Sequence, residues 1–129
     1  MLRAAFLHLV SGATIGALML AGKGIAGLAG ALALLTVHQE QMLVGWMVQF
    51  ALGVGFWIFP RLPGRARDEH SRSAALAACL LNAGVVAACA GDVASSPWLT
   101  AAGRAAELAA VLLFLGIVWP RVRPYGLTA

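Results

Sequence analysis

His38–Arg61, HQEQMLVGWMVQFALGVGFWIFPR, is the stretch on which the reading of this chain turns. From Met42 to Phe59 eighteen residues carry no charge, and Gln49 is the one uncharged polar side chain among them. A helix of about that length crosses a hydrocarbon core of roughly 30 Å. The stretch opens on a histidine, and an ionisable side chain is costly to carry into a membrane helix without a partner or a purpose. His38 is therefore the first candidate for chemistry.

The rest of the composition agrees with a membrane setting. Hydrophobic residues make up 61% of the 129, charged residues 11%, and the mean hydropathy is +0.87, far from the quarter-charged composition of soluble domains. The pI near 10.1 would suit a nucleic-acid partner. Most arginines, however, sit in short segments beside or between apolar runs, where they act as topology signals, so no nucleic acid is expected. Cys79 and Cys89 lie in one apolar run, about 15 Å apart along a helix, too far to bridge. No CxxC, Walker-type glycine loop or HExxH occurs.

Four spans fit the chain, over about residues 4–22, 28–60, 73–90 and 97–119, giving an all-α membrane four-helix bundle as one domain over 1–129. The first apolar run is longer than the core of a signal peptide and contains His8, so a retained helix is expected. Gly12 and Gly16 form a GxxxG, read as a close-packing surface within the chain. Pro60 and Pro63 end the second span, beside Trp57 and Phe59 as interfacial aromatics. RLPGRARDEHSRS reads as a connecting loop, with His70 solvated in it. Ser96 and Pro97 read as the cap and first turn of the fourth span. Arg3, Arg61, Arg65, Arg67, Arg72, Arg121 and Arg123 fall on one side, against Lys23 and Asp92 on the other, which puts both termini in the cytoplasm of a bacterial-type inner membrane.

This topology brings His38, Glu40, Arg104 and Glu107 to a similar depth. Arg104 and Glu107 are one turn apart and can pair with each other, and Glu40 can reach for the outer headgroups. His38 can bond a neighbouring helix, through Glu107 or a backbone carbonyl, or it can bind a metal. Met42 lies one turn away on the same face, and Met19 is expected at similar depth on the first helix. Thioethers and imidazoles both ligate haem iron, while membrane methionines also serve simply as packing. His8 is placed near the inner end of the first helix, a full membrane away from His38.

The pattern H-x3-M-x2-GW-x3-F-x2-G-x6-PR, on His38, Met42, Gly45, Trp46, Phe50, Gly53, Pro60 and Arg61, resembles helix two of haem-copper oxidase subunit I, closest to the nitric oxide reductase branch. In that family the histidine is an axial ligand of the low-spin haem. The resemblance implies haem b on His38, Met42 or Met19 as candidates for a second ligand, and Arg104 facing the propionates. Full-length members have about twelve helices in three arcs of four. This chain has one arc, with no adjacent histidine pair and no histidine–tyrosine motif for copper, so oxygen reduction by it alone is not expected. A homo-oligomer, a trimer foremost, or a place in a larger respiratory complex would follow from a single arc.

The leading expectation is thus a haem-b-binding or electron-transfer membrane protein with His38 as ligand. The alternative is a structural or assembly subunit of a membrane respiratory complex without cofactor. A proton path through Glu40, Glu107 and His38 stands third, since no acid on the inner side of the spans continues it.

Overall fold

The computed structural model describes residues 1–59 and 67–122, without the side chains of 67–71. Pro60, Arg61, Pro63, Arg65 and Arg123, and the side chains of Arg67 and His70, therefore lie outside the described residues. Every regular element among those described is helical. Helix α1 is Leu2–Gly22, α2 is Ala26–Ile58, α3 is Arg67–Val93 and α4 is Pro97–Val118, continued by a short 3-10 turn at Trp119–Arg121. All four are long and apolar enough to cross a membrane. Backbone groups satisfied inside each helix are what an apolar medium demands. The expected loop over 61–73 is shorter than read from composition, because α3 already begins at Arg67. A helix keeps its own hydrogen bonds past the end of its apolar run, so charge does not mark its start.

Three kinds of turn build α2. Ala26–Leu34 winds as a 3-10 helix, Gln41–Val48 as a π-helix, and α-helix fills Leu35–Glu40 and Gln49–Ile58. The π segment explains how α2 faces α1. Val37, Gln41, Gly45, Gln49 and Gly53 recur every four residues, a spacing that would rotate about 40° per step in a regular α-helix. The wider π turn rotates in the opposite sense and holds the stripe against one neighbour. Gln41 meets Ser11, Gly45 meets His8, Gln49 meets Met1, and Gly53 meets Leu2.

Glycines set the other close approaches. A Cβ on Gly12 would stand 2.8 Å from Met42 Sδ and one on Gly16 2.7 Å from His38 Cε1, so the GxxxG serves the contact of α1 with α2. Between α3 and α4 the crossing is tighter, with a Cβ on Gly103 only 2.5 Å from the Ala88 nitrogen and 2.7 Å from the Gly84 carbonyl oxygen. Side chains then fill two clusters. Val37, Val85 and Cys89 form one with Ile15, Leu34 and Val44, and Ala77, Phe114 and Val118 form the other with Met1, Leu52 and Phe56. Leu7, Leu20, Leu108 and Leu112 point outward and exposed. Trp57 and Trp119 stand at one end and Trp98 at the other, as interfacial belts do.

Replacing Gly103 by Leu forces α3 and α4 apart and should cost about 1–3 kcal/mol, the usual penalty for overpacking. Gly30→Leu, where a side chain meets nothing within 4 Å, should be close to neutral. Thermal unfolding of both variants in detergent checks the difference, and equal melting points would contradict this helix contact.

Candidate functional site

The face between α1 and α2 carries His8 and His38, and their surroundings differ. His38 sits on the α-helical turn before the π segment, its ring against Gly16. Its Nδ1 is 2.8 Å from the Gly12 carbonyl oxygen. A carbonyl only accepts, so Nδ1 carries the proton and donates, and Nε2 is left with its lone pair. Among the described residues Nε2 has no hydrogen-bond partner. The backbone carbonyl was one of the two partners expected for this side chain, and Glu107 is not the one used.

His8 has both nitrogens engaged. Nδ1 lies 2.5 Å from Gln41 Oε1 and Nε2 2.9 Å from Asn82 Oδ1. Asn82 is pinned by its own Nδ2, which donates to the Ala78 carbonyl at 2.6 Å. Gln41 Oε1 also accepts from the Ser11 hydroxyl, and its Nε2 donates to Cys89 Sγ at 3.6 Å. Oxygen and nitrogen of an amide exchange without moving heavy atoms. With the Gln41 amide turned, its nitrogen donates to Nδ1 of a neutral His8 and to the Ser11 hydroxyl, which itself donates to the His8 carbonyl; His8 Nε2 donates to Asn82, and the Cys89 thiol donates to the turned Gln41 oxygen. The network then closes on itself with no ligand.

His8, expected at the inner end and a membrane away from His38, lies closer to it than that. His8 packs on Gly45 inside the bundle while His38 packs on Gly16, which separates the rings by about 12 Å along α1. That is still too far for one metal ion. Hydropathy located helix ends but not the pairing register of α1 with α2, which shifts His8 inward.

A charged layer lies next to His38. Glu40 is buried at 2% exposure and pairs with Arg104, whose Nη1 also approaches Glu107 at 3.4 Å. Glu40 therefore turns inward across the bundle rather than outward to headgroups. The Arg104–Glu107 contact expected one turn apart is present, with Glu40 as a further partner from α2. Arg104, expected to face haem propionates, has its guanidinium held between these two carboxylates. Met42 stacks on Gly12, and Met19 stands one turn beyond Gly16 on the same strip of α1. Ser96 occupies the cap position of α4 but its hydroxyl makes no capping bond, whereas Thr100 Oγ1 bonds Asp92 and the Ser96 carbonyl. Arg121, read as an end-of-span charge, is buried with its guanidinium 5.1 Å over the Phe56 ring.

Ser11, Gln41, Asn82 and Cys89 were missed as a constellation. Polar residues near the middle of apolar runs were the available signal, but nothing in the sequence says that three helices bring them to one histidine. Among the described residues no group of three or more His, Cys, Asp or Glu side chains is placed to hold a metal ion. A haem differs in need, since the porphyrin supplies four ligands and the protein one or two.

Fold and site together define a small all-helical chain with four candidate membrane-spanning helices, which points to a membrane protein, and with a polar interior. Comparison with family models, curated proteins and solved structures finds no match.

Removing the cation from the charged layer leaves two buried carboxylates facing each other. Arg104→Met should therefore cost up to about 3–5 kcal/mol, reduced by the partial exposure of Arg104, and Glu40→Gln in the same chain should recover part of the loss. A double-mutant cycle on unfolding temperature checks this. Strict additivity of the two changes would show that the pair is not coupled.

Proposed function

We propose that this chain is an integral protein of a bacterial-type cytoplasmic membrane that binds haem b through His38. The observation that carries the reading is the hydrogen bond from His38 Nδ1 to the Gly12 carbonyl. Metal-bound histidines commonly donate the second ring N–H to a carbonyl or carboxylate, which fixes the tautomer and aims the other nitrogen. His38 has that arrangement and His8, with both nitrogens used, does not. The resemblance of His38–Arg61 to helix two of haem-copper oxidase subunit I supports the same assignment. Bound haem would supply electron transfer, and the chain supplies an oriented imidazole, an apolar wall and the neighbouring charge.

Were haem bound, His38 would hold it, and Met19 from α1 or a residue of a second copy would be the candidate for a further ligand, since Met42 follows His38 by one turn on the same helix face. Without a further ligand the site would admit a small gas. A homotrimer of such arcs, or docking into a respiratory complex, supplies the second copy or partner surface. Arg104 is left out of propionate binding, being committed to Glu40 and Glu107. The arginines that the sequence sets beside the apolar runs on one side, Arg121 set apart as buried, support cytoplasmic termini.

A cofactor-free structural subunit is the competing reading, favoured by the closure of the His8 network and the Glu40–Arg104 pair without any ligand. A reduced-minus-oxidised spectrum separates the two. Protein purified from haem-replete cells should show Soret and α bands that His38→Ala loses and His8→Ala keeps. Absence of the bands, or their loss only in His8→Ala, would overturn the haem assignment.

Reporter fusions test the topology separately. Fusions following Val122 and within Ala94–Ser96 should report opposite sides of the membrane, the first cytoplasmic. A periplasmic report from the first would end this orientation.

A further inference from the structure

A cavity of about 400 Å³ opens between α1, α2 and α3 at the end of the bundle that holds Met1. Its volume falls in the range of small-molecule sites, roughly 300–1,000 Å³. Leu2, Gly53, Phe56, Ala74 and Ala78 wall it, and the small side chains among them are the reason it is open. Arg3 is the one charged side chain in its lining, and it is exposed. Trp57, 76% exposed, stands beside it, with Leu76 exposed on the adjoining face of α3.

We propose that this cavity takes an acyl chain of an anionic phospholipid whose phosphate is bound by Arg3. Away from Arg3 and Met1 at its mouth the walls are apolar side chains, which offer water few partners. In a bilayer the material at hand to fill it is a lipid tail. The charge at its mouth then selects the headgroup, since arginines at a membrane surface attract anionic lipid. An exposed tryptophan at the rim suits the headgroup level.

The proposal rests on membrane insertion and is independent of haem. Native mass spectrometry of the full chain in mild detergent, with phosphatidylglycerol or phosphatidylcholine of identical acyl chains added, provides the test. One retained lipid is expected, with about fivefold preference for phosphatidylglycerol. Arg3→Gln should bring the two lipids to parity and Arg3→Lys should restore the preference. Ala75→Trp, at an exposed position in the cavity wall, should abolish retention of both. Equal retention by the wild type, an unchanged preference in Arg3→Gln, or a quinone or second copy in place of the lipid would overturn the assignment. Failure of the membrane reading looks different: the protein would then stay in solution without detergent.

Discussion

A carboxylate enclosed by apolar helices must meet a cation, and Glu40 meets Arg104. That pair ties α2 to α4 and so joins the hairpin α1–α2 to the hairpin α3–α4. Coulomb attraction at close range in a weakly polar surrounding is large, but so is the cost of taking both ions out of water. The gain is one of arrangement. Only one rotation of α4 presents Arg104 to Glu40 and Gly103 to Gly84, and that rotation also places Phe114 and Val118 beside Ala77 in the core.

The same helix pair, α1 and α2, makes two histidines chemically unlike. Glycine lets each ring approach the facing helix closely, Gly45 against His8 and Gly16 against His38. His8 then meets side chains on both sides, from α2 and α3, which lock it as an internal crosslink. His38 meets only a backbone carbonyl, which holds the ring and leaves Nε2 over. Haem ligation asks for the second situation, and a structural role is complete in the first.

Four apolar helices were legible in the sequence because uninterrupted apolar length is a strong and additive signal. The polar depth of Glu40, Arg104 and Glu107 was legible too, since position along a span translates directly into height. What escaped was rotational. The π turn over Gln41–Val48 has no composition of its own, yet it decides that Gln41, Gly45 and Gln49 share one face. Register was the other loss: His8 looked peripheral until Gly45 was seen against it. Arg121 counts as a topology charge by sequence, whereas the structure buries it with its guanidinium over the Phe56 ring. The cavity beside Arg3 depends on small residues from three helices meeting at one end, which no single stretch encodes.

The tautomer of His38 is the most direct test of the central claim, because ligation through Nε2 requires that Nδ1 hold the proton. Nitrogen-15 NMR of histidine-labelled protein, before haem is added, reports each ring nitrogen separately, with His38→Gln identifying the signals. The geometry predicts a protonated Nδ1 and an unprotonated Nε2 for His38, with the Nδ1–H signal shifted by its bond to the Gly12 carbonyl. A His38 protonated at Nε2 alone would contradict it, since that nitrogen would then have no lone pair for iron.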